Sequence, residues 1–177
     1  FQGDTSQLEP FVQTGASAQD KNYRLTLDSS ICDGDTLYVV ITVEGLHEQA
    51  VENLKNNQVV ADCYRAAWGR EMPENLMEQG QGDISVFQFQ MEAGNHMSSF
   101  GFEELPAPSE TSRSWQLQLT LTGLEHPQTE PIGLRLGFME ESCVLQIPVD
   151  QMPQVVRVSI ARELSVDWNG GEEVFVD

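Results

Sequence analysis

Apolar and polar side chains alternate along most of this chain, and the alternation is cleanest in the run SWQLQLTLTG. Trp115, Leu117, Leu119 and Leu121 point one way, and Gln116, Gln118, Thr120 and Thr122 point the other. That is the pattern of a strand with one face in a core and one in water. Residues 33–45, DGDTLYVVITVEG, open with a tight polar turn and continue with Leu37, Val39, Ile41 and Val43 on one face. Tyr38, Val40 and Thr42 load the second face as well, so this strand is expected to be covered on both sides and central to its sheet. Residues 23–31 alternate just ahead of it, and the two stretches read as a hairpin bent at Asp33-Gly34-Asp35.

The period changes after Gly45. Leu46, Ala50, Val51 and Leu54 share one face of a short helix, which Asn56-Asn57 stops. Residues 57–65 read as a strand. Residues 66–82, with Gly69, Pro73, Gly80 and Gly82, read as a long connection holding one helical turn over 73–79. Residues 83–91 form a strand with a one-residue phase fault, the mark of a β-bulge. Residues 97–105 follow as a strand with Phe100 and Phe102 on one face, and residues 105–114 supply a loop. Ile132, Leu134, Leu136 and Phe138 alternate in the next strand, and Pro148 ends the strand at 143–149 or places it at an edge. Val156, Val158 and Ile160, then Leu164, Val166 and Trp168, alternate again, and Asn169-Gly170-Gly171 turns into a closing strand. About nine to eleven strands with turn signals at short intervals predict an all-β, antiparallel sandwich or barrel with one or two short helices. Residues 1–20 are a polar lead-in or stalk, with a short edge strand near 8–13. Residues 21–177 form the sandwich domain with a C-terminal β extension, and a sub-boundary near residue 150 stays open.

Charge narrows the choice of partner. The 177 residues carry 9 Lys and Arg against 28 Asp and Glu, a net charge of -19. No row of phosphates could be neutralised by such a chain, so nucleic acid is excluded, and anionic lipid is a poor partner. No apolar run approaches the ~18 residues of a membrane span, so a membrane is expected only through a segment upstream. The chain begins at Phe1, as a mature product or a piece of a longer protein would. Its three cysteines, Cys32, Cys63 and Cys143, are far apart and form no C-x-x-C motif. Cys63 shares strand parity with Val59 and Ala61, so it and Cys143 read as buried structural thiols, with one long-range bridge left open.

Residues for catalysis are scarce. His47, His96 and His126 are not spaced as metal ligands, and neither a nucleophile elbow nor a phosphate-cradling glycine loop is present. The acid pairs Glu103-Glu104, Glu140-Glu141 and Glu172-Glu173 place neighbouring carboxylates on opposite faces of a strand, which builds no glycosidase dyad. Asp33 and Asp35 lack the longer calcium-loop pattern. No catalytic residue, cofactor or metal is therefore assigned. Trp115 and Trp168 lie at core parity, which leaves Trp68 as the exposed aromatic contact. Trp68, Arg70 and Glu71 form the candidate binding loop within residues 66–82.

The run YRLTLDSSICDGDTLYVVITVEG joins an x-L-T-L-D strand, an acidic-glycine turn and an L-Y-V-x-x-T-V strand. With the tryptophan-opened strand SWQLQLTLTG, it resembles a domain of unknown function in Firmicutes, the extracytoplasmic part of single-pass, anti-sigma-factor-like membrane proteins. Residues 66–82 are longer and richer in glycine than that pattern. The resemblance implies an immunoglobulin-like β-sandwich tethered outside the membrane, without catalytic residues. The expected function is a non-catalytic sensing or binding module of a membrane-anchored bacterial regulator, taking a protein, peptide or envelope ligand. A structural or adhesive cell-surface domain is the alternative, and a carbohydrate-active enzyme with two facing carboxylates is the remaining rival.

Overall fold

The structure, a computed structural model, describes residues 14–33, 35–74, 85–122 and 130–149. The edge strand expected near 8–13, most of the helical turn expected over 73–79, His126 and all strands expected beyond residue 150 lie outside the described residues.

Alternation is translated into eight described strands in two antiparallel sheets, a sandwich-like all-β fold. The larger sheet runs β1 (Ser17–Gln19), β2 (Tyr23–Asp33), β3 (Thr36–Gly45), β6 (Ser112–Thr122) and β5 (His96–Leu105), in that spatial order. The smaller runs β4 (Phe87–Gln90), β7 (Ile132–Leu136) and β8 (Leu145–Ile147). The inner face of β3 (Leu37, Val39, Ile41 and Val43) and that of β6 (Trp115, Leu117 and Leu119) are at most 1% exposed. They are covered by Val86, Phe87, Ile132, Leu134, Leu136, Leu145 and Ile147, which belong to one continuous core. Each such side chain contributes roughly 1.5–3 kcal/mol through burial.

The β2–β3 hairpin forms, in register from Tyr23 opposite Gly45 to Asp33 opposite Thr36. Asp28 is the extra residue of a bulge in β2, and its carboxylate accepts a 2.6 Å hydrogen bond from the Thr42 hydroxyl. β3 is central, with β2 on one side and β6 on the other. It is not covered on both faces: Tyr38 is 38% exposed, and Val40 and Thr42 are half-buried. Their neighbours on that face, Gln116 and Gln118, are exposed, so the second apolar row lies on an outward surface. β1 lies within the stretch read as a lead-in, so among the described residues the sheet begins at Ser17.

Two described helices lie between β3 and β4 in the chain. α1 (Glu48–Lys55) forms as the pattern predicts, burying Ala50 and Leu54. The strand expected over 57–65 is instead α2 (Gln58–Trp68). Val59 and Val60 carry strand propensity, but Val59, Val60, Cys63 and Tyr64 fall at offsets of one, four and five, and all four are buried. Ala61, Ala66 and Ala67 favour helix, and Asn57, at φ 55°, takes the left-handed turn between the two helices.

The expected bulged strand over 83–91 is also corrected. Residues 83 and 84 lie outside the described residues; of the rest, Ser85 and Val86 belong to a tight helical turn and β4 begins only at Phe87, so the phase changes where turn gives way to strand. A second bulge falls in β5, between Met97 and Ser99. The loop expected over 105–114 is shorter, because β5 reaches Leu105 and β6 starts at Ser112. Its turn is braced by the hydroxyl of Ser109, 3.0 Å from that of Thr111 and 2.9 Å from that of Ser112.

Gly45 ends β3 where α1 passes closest. A Cβ there would stand 2.7 Å from the backbone nitrogen of Val51, which cannot move without disturbing the helix. Gly45→Ala is expected to destabilise the fold by about 1–3 kcal/mol. Gly101→Ala, in open space, should change it by less than about 0.5 kcal/mol. Urea unfolding of both variants checks the contrast.

Candidate functional site

Trp68 is the most exposed large apolar side chain among the described residues, at 60%. It is the last residue of α2 rather than a loop residue. Gly69 then adopts φ 65°, and its N–H donates to the Arg65 carbonyl at 2.8 Å, a glycine C-cap. The cap folds residues 70 and 71 back along the helix. Glu71 accepts two hydrogen bonds from the Arg65 guanidinium, at 2.8 and 2.9 Å. Arg70 donates to the Tyr64 hydroxyl at 3.3 Å. Tyr64 is itself buried, and its ring lies 6.3 Å from that of Trp68. Met72 re-enters the core immediately afterwards. The three residues proposed from the sequence, Trp68, Arg70 and Glu71, therefore meet on the last turns of one helix.

Arg65 and Tyr64 complete this corner and were not singled out by the sequence. The hydrogen bond from Arg65, and then its charge, hold the Glu71 carboxyl below its ordinary range. This is a fully exposed pair, so it contributes shape more than stability. The rigid bidentate clamp fixes the chain around an indole that stays in water. A large aromatic held this way loses little conformational entropy on binding, which is why tryptophan and arginine dominate contact hot spots.

α2 is held from its other end by Arg113. That side chain is on the inner face of β6, two residues before Trp115, and the residue is 9% exposed. It donates to Glu104 of β5 at 2.8 and 2.9 Å and to the Asn57 side chain, ahead of α2, at 2.8 Å. Its guanidinium carbon also sits 4.9 Å from the centroid of the Trp115 ring. A charged residue at core parity beside a tryptophan was the available signal for this network.

Several other polar groups have structural partners. Asp20, 9% exposed, accepts the N–H groups of Asn22 at 2.7 Å, Tyr23 at 2.8 Å and Glu140 at 3.1 Å, tying the larger sheet to the turn before β8. His47 caps α1: Nδ1 accepts the Ala50 N–H at 3.3 Å, which leaves Nε2 to donate to Asn22 at 3.1 Å. Glu103 and Glu104 alternate across β5, and only Glu104 reaches Arg113. Cys32, Cys63 and Cys143 are buried, and none of the three is in a disulfide. Cys63 is on α2 rather than on a strand. Among the described residues no group of three or more His, Cys, Asp or Glu is placed to hold a metal ion, and no helix is long and apolar enough to cross a membrane.

Burial, and then the neighbouring Asp62 carboxylate, push the Cys63 thiol from 9.0 up to about 11. The folded chain therefore keeps this proton over a range where the unfolded chain has lost it. The resulting stability is complete below pH 9 and is lost as the pH rises from 9 towards 11. Stability measured against pH in that window should fall less steeply in Cys63→Ala than in the parent chain, and Cys63 should resist thiol reagents at neutral pH in the native state. No family model matches the chain, and no curated protein or solved structure matches it either.

Proposed function

We propose that this chain is a non-catalytic recognition module, and that it serves as the extracytoplasmic sensing part of a membrane-anchored, anti-sigma-factor-like bacterial regulator. The observation that carries the recognition reading is Trp68, 60% exposed on a braced helix end. A large, braced and exposed indole is the kind of side chain that anchors contact hot spots. Its partner is a protein, peptide or envelope ligand that offers an apolar or cationic surface to the ring. Support for the extracytoplasmic setting comes from the resemblance carried by residues 23–45 and by the strand opened by Trp115. A two-sheet sandwich is the architecture that this resemblance implies.

Catalysis finds little support beside it. Cys63 is held as a neutral thiol, and His47 is committed at both ring nitrogens to capping α1.

The test is a binding comparison. Envelope proteins and cell-wall fragments are screened against the parent chain and against Trp68→Ala. The substitution removes an exposed ring, so the fold should persist, with a change of less than about 1 kcal/mol. Binding of the ligands found should weaken by about tenfold or more. Ligands that bind Trp68→Ala and Arg70→Ala as tightly as the parent contradict the reading.

A further inference from the structure

Among the described residues, β5 is the edge of the larger sheet and β4 the edge of the smaller. Ring contacts place the two one above the other, on a flank that no other described strand covers. Rings fill the space between them: Phe87 stands 5.6 Å from both Phe100 and Phe102, and Phe89 stands 5.3 Å from Phe100. Phe89, Phe100 and Phe102 are only half-buried, so they form an aromatic rim along β5.

β5 has few of the devices that protect edges. It is 10 residues long and contains no Lys, Arg or Pro. Its one bulge falls near the start, where the Ser98 hydroxyl donates to the Thr120 carbonyl at 3.1 Å. From Ser99 to Leu105 the register against β6 is unbroken, and among the described residues β5 pairs with β6 alone. Alternate backbone N–H and C=O groups along that run therefore point outward, a template for one more strand.

Charge identifies the class of strand. Each described arginine finds an acceptor within the chain: Arg24 on Glu44, Arg65 on Glu71, Arg70 on Tyr64, Arg113 on Glu104 and Arg135 on Gln88. The acidic surplus stays uncompensated, in a chain of net charge -19. On β5, Glu104 is spent on Arg113, whereas Glu103 faces the outer side with no cation among the described residues. Beside it, Gly101 has nothing within 4 Å of where a Cβ would be, which leaves room for a long side chain to lie across the strand. A second copy of the chain would bring the same charge to the same edge, so repulsion disfavours it.

We infer that the outer edge of β5, over residues 99–105, takes an extended segment of a basic partner protein as an added antiparallel strand. The segment's apolar residues fall opposite Phe100 and Phe102, and its Lys or Arg residues fall opposite Gly101 and Glu103. This surface is separate from the Trp68 corner and goes beyond the function proposed above.

The probe is a short labelled peptide in which Val and Lys alternate, titrated against the full chain by fluorescence anisotropy. Saturable binding is expected, weaker at high salt, and weaker by about tenfold in Glu103→Lys. Trp68→Ala should leave it unchanged, so this result and that of the Trp68 screen are independent. N-methylation of alternate peptide amides, which keeps every charge but removes the donors, should abolish binding. Hydrogen exchange of the free chain should be slow and fast at alternating amides over residues 99–105, and slow at all of them with peptide bound. Three results would overturn the inference: equal binding of the methylated peptide, uniformly slow exchange in the free chain, and self-association of the chain through β5.

Discussion

Arg113 is the side chain on which the arrangement turns. It lies at a core position, stacks over the fully buried Trp115, and spends its donors on β5 and on the residue that starts α2. A guanidinium in such a place is costly unless its charge and hydrogen bonds are met, and Glu104 and Asn57 meet them. The cost of failure gives the network its authority. Displacing β5 or rotating α2 would strand a charge against the core.

Both surfaces assigned to recognition hang from this network. Glu104 is on β5, whose outer edge pairs with no other described strand, and Asn57 precedes the helix that ends in Trp68. Neither surface is part of the core, yet each is attached to it through one buried cation. Recognition residues on well-anchored elements keep their geometry before a partner arrives, and so lose less entropy on binding. The acidic surplus acts at longer range. On the proposed reading it would favour cationic partners and speed their encounter, while the aromatic contacts and the strand edge would decide the fit.

The described strands were largely legible in the sequence because a half-buried strand writes its two faces as an alternation. Trp115 to Leu121 and Leu37 to Val43 took the inward faces their parity required. Two readings failed for one physical reason, that short apolar runs are ambiguous. Val59 and Val60 suggested a strand, but with Cys63 and Tyr64 they line one face of a helix. Tyr38, Val40 and Thr42 suggested a covered second face, but they look outward beside Gln116 and Gln118. Of the candidate site, the exposure of Trp68 was accessible from the sequence, because an aromatic beside glycine in a polar stretch has little to pack against. The clamp from Arg65 was hidden, since it depends on a left-handed cap at Gly69 reversing the chain. The open edge of β5 was hidden too, because strand order is a property of the whole sheet.

The most direct test of the central claim is a double-mutant cycle on Arg113 and Glu104, with unfolding free energies measured for Arg113→Met, Glu104→Gln and the pair. If the network holds the frame, the single changes are strongly non-additive, with a coupling of about 1 kcal/mol or more. Additivity within about 0.3 kcal/mol would mean that the ion pair is incidental and that packing around Trp115 alone sets the positions of β5 and α2.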